Sequence, residues 1–113
     1  MKLAIVGSRY FNDYEFMKLK FLEIKEQYSI TCIVSGGARG ADTLAEKIAS
    51  EFNLNKIIFY PEKRKYGSNA NYIRNTLIAK ECDLAIAFPI GKSSGTWDTI
   101  KKANKLGKKV FVY

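Results

Sequence analysis

Residues 33–45 decide the fold, and they read Ile33-Val34-Ser35-Gly36-Gly37-Ala38-Arg39-Gly40-Ala41-Asp42-Thr43-Leu44-Ala45. An apolar, β-branched run over residues 30–34 predicts a strand, and the pattern from about Ala41 predicts a helix. The glycines between them allow a tight turn that brings backbone N–H groups close to a ligand. The helix that follows offers unpaired N–H groups and the positive end of its dipole, which suits a phosphate. A turn that merely needs small residues is the alternative, but Arg39 and Asp42 favour a ligand site.

The composition predicts an ordered globule that forms one domain over residues 1–113. Hydrophobic residues make up 47% of the chain and aromatic residues 13%, which is enough for a core. No apolar run approaches the roughly 20 residues that cross a bilayer, and no signal-peptide pattern follows Met1. We therefore expect a cytoplasmic protein with no membrane partner, in which Cys32 and Cys82 stay reduced inside the core.

The chain contains no histidine and only two cysteines. These counts exclude a Ser-His-Asp triad, a Cys-His dyad, a His-ligated metal and a structural zinc site. We expect neither a metal nor a cofactor. Any catalysis would depend on carboxylates, arginines, hydroxyls and backbone dipoles.

The net charge of +8 comes entirely from the second half of the chain. Residues 1–52 hold seven basic and seven acidic residues, whereas residues 53–113 hold twelve basic and four acidic ones. The densest clusters are Lys63-Arg64-Lys65 and the lysines between 101 and 109. This excess favours an anionic partner, including single-stranded nucleic acid, and a merely solubilising surface is the alternative.

Strand and helix patterns alternate along the whole chain. Continuous apolar runs predict strands at residues 2–6, 30–34, 56–60, 83–88 and 109–113. Helical spacing predicts a helix capped by Asn12 or Asp13, one over 41–52, one over 69–81 with Ile73 and Leu77 inward, and one from Gly95 to a Gly107 cap. Residues 62–68 read as a polar loop. The alternation predicts an α/β fold, a Rossmann-like doubly wound parallel sheet of about five strands with helices on both faces.

In such a sheet, ligands bind outside the carboxyl ends of the strands, where the strand order reverses. The loops after the first, second and fourth strands should converge there. They carry residues 7–9, 35–39 and 89–96, which are rich in small and hydroxyl side chains and include two arginines. Neither a Walker A loop nor the G-x-G-x-x-G dinucleotide spacing is present.

Five motifs in order carry a family resemblance: Gly7-Ser8-Arg9, Ser35 to Asp42, Ile73-Arg74-Asn75, Phe88-Pro89 and Ser94 to Asp98. Together they resemble the SLOG superfamily over nearly the whole chain, and within it the YspA and cpYpsA-related branch. That superfamily also includes the LONELY GUY proteins and the Rossmann-like core of DprA/Smf. The resemblance implies a nucleotide-derived ligand, such as a nucleoside monophosphate, ADP-ribose or an NAD-related signal, and it suggests a homo-oligomer.

The resemblance and the converging loops together nominate a set of ligand-binding residues. They are Gly7, Ser8, Arg9, Ser35, Gly36, Gly37, Arg39, Asp42, Arg74, Asn75, Pro89, Ser94, Gly95 and Thr96. Gly36, Gly37 and residues 95–96 are expected to cradle phosphate and ribose. Arg74 could instead be a solvated helix charge and Asp42 a first-turn acid favoured by the dipole. We expect Trp97 to be a core residue and not a platform for a base.

One departure from the superfamily bears on catalysis. Its phosphoribohydrolases carry P-G-G-x-G-T-x-x-E, and Thr99 occupies the position of that glutamate here. Asp98 lies about 100° away around the helix, yet it is the one candidate catalytic carboxylate. Three functions stay open: a binding module that senses or sequesters a nucleotide derivative, an N-glycosidase or phosphoribohydrolase that uses Asp98, and a DprA-like binder of single-stranded DNA.

Overall fold

Five parallel strands form one sheet in the computed structural model, which describes all of residues 1–113. The strands are β1 Lys2–Gly7, β2 Cys32–Ser35, β3 Asn55–Ile58, β4 Leu84–Phe88 and β5 Lys109–Val112. Their order across the sheet is β3-β2-β1-β4-β5, and every neighbouring pair is parallel. All five residues of β4 are buried, which explains its continuous apolar run. The Rossmann-like α/β fold predicted from the sequence is confirmed.

Helices cover both faces of this sheet. They are α1 Tyr14–Gln27, α2 Ala41–Glu51, α3 Lys63–Tyr66, α4 Ala70–Glu81 and α5 Ser94–Lys105, with a short 3-10 helix at Gly67–Asn69. The core on one face contains Met17 and Phe21 of α1 with Ile48 of α2. The core on the other face contains Ile78 of α4 with Ile100 of α5. None of these helices combines the length and the apolar character needed to cross a membrane.

The ends of two helices follow the signals read from the sequence. The Asp13 side chain accepts a hydrogen bond from the Phe16 backbone N–H at 3.1 Å and so caps α1, which satisfies one orphan donor. Gly107 follows α5 with a φ of 77°, the left-handed conformation that glycine adopts without steric cost after a helix. Both cysteines are buried, as predicted for core residues.

The junction between β2 and α2 is held against the junction between β1 and α1. The Ala41 N–H donates to the Ser8 carbonyl at 3.1 Å. Gly40 has a φ of 70°, and a Cβ there would clash with the backbone of Ser8 and Arg9. Only glycine therefore allows the two loops to meet this closely. The contact brings two of the three predicted ligand loops together.

Helix α4 does not bury the side that the sequence predicts. Leu77 is 42% exposed and Ile73 only half-buried, whereas Ala70 and Ile78 are buried. The prediction that Ile73 and Leu77 point inward was wrong because the buried side of this helix also includes the polar Asn75. Hydrophobic spacing alone could not identify a core position occupied by an amide.

Two other predictions also fail. Trp97 is 43% exposed and does not belong to the core, since Thr96, Thr99, Ile100 and Ala103 form the buried side of α5. Residues 62–68, expected to be a polar loop, contain the four-residue helix α3 and the start of the 3-10 helix. No side chain of α3 is buried, so no apolar pattern marked it.

The corrected orientation of α4 makes a direct prediction about stability. Ile78→Ala should lower the free energy of unfolding by about 2–5 kcal/mol because it leaves a cavity in the core. The adjacent Leu77→Ala should change it by about 0.5 kcal/mol, as expected for a partly solvated side chain. Equilibrium urea denaturation followed by circular dichroism measures both. A larger loss for Leu77→Ala than for Ile78→Ala would contradict the packing described.

Candidate ligand-binding cleft

A cleft opens at the carboxyl ends of β1 and β4, with a cavity volume of about 680 Å³. The chain runs from β1 outward to β3 and returns to β4 on the other side of β1. The strand order reverses between β1 and β4, so the cleft lies where doubly wound sheets bind ligands. Ten of the fourteen residues nominated from the sequence line it: Gly7, Ser8, Arg9, Arg39, Asp42, Arg74, Asn75, Ser94, Gly95 and Thr96.

The walls of the cleft are electropositive. Its lining includes four basic side chains, those of Arg9, Arg39, Arg74 and Lys92, against the single carboxyl group of Asp42. Arg9 and Arg39 are exposed, and neither forms one of the salt bridges of the molecule. Two guanidinium groups are therefore free to contact an anion in the cleft.

The N-terminus of α5 forms one edge of the cleft. Ser93 precedes the helix with a φ of 37° and provides no side-chain cap. The first backbone N–H to bond inside the helix is that of Trp97, which donates to the Ser93 carbonyl at 3.1 Å. The N–H groups of Ser94, Gly95 and Thr96 precede it and have no partner within the chain, as at any uncapped helix start. These three donors and the helix dipole make a favourable position for an anion.

Asp42 lies at the floor of the cleft and is only 7% exposed. Its Oδ2 accepts a hydrogen bond from the Ala38 N–H at 3.1 Å. The buried Ser35 hydroxyl lies near this carboxyl group without forming a hydrogen bond. Burial raises the pKa of Asp42, while the Ala38 N–H and the positive charge of Arg74 oppose the rise. From the first turn of α2, the buried carboxyl group of Asp42 thus holds the preceding loop in place through Ala38.

Arg74 and Asn75 link helix α4 to the loop after β2 and to the start of α5. Arg74 Nη1 donates to the Gly36 carbonyl, and its Nε donates to Asn75 Oδ1 at 3.1 Å. The Asn75 amide donates to the Gly95 carbonyl at 3.2 Å. Burial lowers the pKa of Arg74, and the nearby Asp42 raises it in part. Both residues line the cleft as predicted, but most of their polar atoms are already used to position the loops around it.

Asp98 lies outside the cleft. Its carboxylate accepts hydrogen bonds from the Asn75 amide at 3.1 Å and from Lys102 Nζ at 2.9 Å, between α4 and α5. Thr99, one residue later, lines the cleft and donates its hydroxyl to the Gly95 carbonyl at 3.1 Å. The catalytic role of Asp98 stays a prediction, and this geometry gives it no support.

Four nominated residues do not line the cleft. A Cβ on Gly36 would lie 2.6 Å from Arg74 Nη1 and 2.9 Å from Asp42 Oδ2, so these side chains cover that glycine. Gly37 packs against the Tyr60 ring after β3. Ser35 is fully buried below the loop, and Pro89 begins the loop after β4 but is not part of the lining. The glycines act in close packing here, which a sequence pattern cannot distinguish from ligand contact.

Sequence reasoning missed Tyr10, Asn71 and Tyr72 of the lining, and it placed Ile90 and Lys92 in a converging loop without nominating them as ligand contacts. Tyr10 directly follows the nominated Arg9, and that adjacency was a usable signal. Tyr72 and Asn71 lie at the start of α4, where only Arg74 and Asn75 had been nominated. The structure contains no group of three or more cysteine, aspartate or glutamate side chains that could hold a metal ion.

The fold and the cleft define a Rossmann-like α/β domain with an electropositive cleft at its topological switch point. The chain belongs to the YAcAr family, described as the YspA, cpYpsA-related SLOG family, whose model matches residues 1–66. The SLOG assignment made from the sequence is thereby confirmed. The chain is also 33% identical over 81 residues to the gene 61 protein of Mycobacterium phage D29, and the match spans 66% of this chain and 65% of the phage protein.

Two solved structures share the fold. DNA processing protein A (DprA) from Streptococcus pneumoniae matches with a TM-score of 0.74 and 25% identity, over 98% of this chain and 49% of that chain. DprA from Helicobacter pylori matches with a TM-score of 0.68 and 24% identity, over 99% of this chain and 64% of that chain. The matches thus span less than two thirds of the phage protein and of both DprA chains.

The buried Asp42 predicts a pH dependence of stability. Its pKa in the folded protein lies above the ordinary value of 3.8, so its ionisation costs more free energy in the folded chain than in the unfolded one. This cost is present at pH 7 and disappears as the pH falls through the folded pKa towards 3.8. The stability of Asp42→Asn relative to the wild type should therefore be higher at pH 7 than at pH 4.

Urea denaturation of both proteins at the two pH values measures this difference. The hydrogen bonds that Asp42→Asn removes change the free energy of unfolding by the same amount at both pH values. Any change with pH in the stability difference between the two proteins therefore reports the titration of Asp42. A difference that stays constant, or that moves in the other direction, would show that Asp42 is not destabilised by burial.

Proposed function

We propose that the cleft binds a nucleotide or a nucleotide-derived ligand, with its phosphate at the N-terminus of α5. The proposal rests on one observation: several hydrogen-bond donors that have no partner within the chain line the same cleft. Three unpaired N–H groups, at residues 94–96, share the cleft with the unpaired guanidinium groups of Arg9 and Arg39. A phosphate offers enough acceptor oxygens to bond several of these donors at once.

The lining favours binding without turnover. Asp42 is the only carboxyl group in it, and this group is buried and engaged by the Ala38 N–H. Asp98 is held by Asn75 and Lys102 outside the cleft. An N-glycosidase needs a carboxylate that reaches the scissile bond or its water. We therefore favour a sensor or a sequestering module over a hydrolase.

The compartment and the assembly state belong to the same proposal. We propose the cytoplasm as the compartment, with which two free, buried cysteines are compatible. Self-association stays a prediction that rests on the family resemblance.

Binding of AMP and ADP-ribose by isothermal titration calorimetry tests the phosphate site. Arg9→Ala and Arg39→Ala should each weaken binding by roughly tenfold or more, because each removes a charge-assisted hydrogen bond. Arg64→Ala is the matched control, since Arg64 is also an exposed arginine but does not line the cleft. Loss of affinity in the Arg64 variant alone, or in none of the three, would contradict the proposed site.

A second candidate function is the binding of single-stranded DNA. It is favoured by the exposed basic side chains of Lys63, Arg64 and Lys65 on α3. The DprA of Helicobacter pylori, which shares the fold, is described as binding single-stranded DNA. In this case affinity for an oligonucleotide should fall steeply with salt, and replacement of the three basic residues by alanine should abolish it. Salt-resistant binding of a mononucleotide that survives this replacement favours the cleft instead.

A further inference from the structure

Two exposed tyrosines meet the cleft from opposite layers of the fold. Tyr10 belongs to the loop between β1 and α1 and is 76% exposed, and Tyr72 belongs to α4 and is 51% exposed. Both line the cleft, although α1 and α4 cover opposite faces of the sheet. Neither ring packs against another aromatic side chain. Each therefore has ring surface available to a ligand.

The backbone around Tyr10 is fixed although its side chain is not. The Tyr10 N–H donates to Ser8 Oγ at 3.1 Å. The next residue, Phe11, is buried, and its ring lies 4.9 Å from the ring of Phe88 between centroids. These two anchors keep the Tyr10 backbone at the rim of the cleft and leave its ring exposed.

Tyr72 is anchored in a comparable way. Its carbonyl accepts hydrogen bonds from Lys102 Nζ at 2.7 Å and from Thr76 Oγ1 at 3.0 Å. Lys102 Nζ also lies 5.7 Å from the centroid of the Tyr72 ring, within the range of a cation–π contact. The position of this ring is therefore supported from outside the cleft.

We propose that Tyr10 and Tyr72 form a stacking site for a purine base, so that the cleft takes a nucleobase-bearing ligand and not a sugar phosphate alone. This inference rests on the proposed phosphate site at α5. Aromatic rings stack on the flat surface of a base, and a purine offers more of that surface than a pyrimidine. The donors at α5 hold the anionic end while the tyrosines at the rim hold the apolar end. Stacking accepts different bases, so the two rings select for the presence of a purine more than for its identity.

The test compares AMP with ribose 5-phosphate, which has the same phosphate and sugar but no base. Calorimetry should show the wild type binding AMP at least about tenfold more tightly than ribose 5-phosphate, the gain expected for one stacked base. Tyr10→Leu and Tyr72→Leu should each reduce this preference and leave the affinity for ribose 5-phosphate unchanged. Trp97→Leu is the control, because Trp97 is an exposed aromatic residue that does not line the cleft.

The outcomes separate the two proposals. Equal affinity of the wild type for AMP and ribose 5-phosphate would overturn the stacking site and leave the phosphate site standing. A preference for AMP that survives both tyrosine substitutions would also overturn it, as would a preference lost only in Trp97→Leu. Binding of neither compound would overturn the phosphate site and the stacking site together.

Discussion

The parallel direction of all five strands is the constraint on which the rest of this molecule depends. Each long helix follows a strand, so its N-terminus lies at the carboxyl edge of the sheet together with the loop that connects them. Orphan N–H donors and positive dipole ends therefore accumulate at one edge. The reversal of strand order between β1 and β4 opens a gap in that edge. An electropositive cleft at this place follows from topology before any particular side chain is considered.

Small residues and two polar side chains then give the cleft its shape. Gly40 lets the loops after β1 and β2 approach until Ala41 bonds to the Ser8 carbonyl. Arg74 connects α4 to the Gly36 carbonyl of that assembly, and Asn75 continues the connection to Gly95 at the start of α5. These contacts use hydrogen-bonding groups that a ligand could otherwise have used. The consequence is a cleft whose loops are positioned in advance by the chain itself, which lowers the entropic cost of binding.

Much of this arrangement could be predicted from the sequence. Uninterrupted apolar runs such as that of β4 identify strands buried on both faces, and their alternation with helices determines the fold class. The glycine-rich loop before Asp42 and the start of α5 indicate the edge of the sheet at which the cleft opens. These signals are local in the sequence, and they predict the structure correctly where the local preference of each segment agrees with the overall fold.

The features that the sequence did not predict depend on contacts between residues that are far apart in the sequence. The inward side of α4 includes Asn75, whose burial is stabilised by bonds to Arg74, Gly95 and Asp98, and no hydrophobic pattern records such bonds. Gly36 looked like a phosphate-binding glycine, but the Arg74 guanidinium covers it. Tyr10 and Tyr72 line the same cleft only because the loop after β1 and the helix α4 both border it.

The central claim is that an anionic ligand binds at the switch point between β1 and β4. Titration of ¹⁵N-labelled protein with AMP, followed by two-dimensional NMR, tests it most directly. If AMP binds there, the largest changes in amide chemical shift should occur at Ser94, Gly95 and Thr96 and in the Ser8–Arg9 loop. Changes confined to Lys63, Arg64 and Lys65, or spread evenly over the lysine-rich surface, would contradict it.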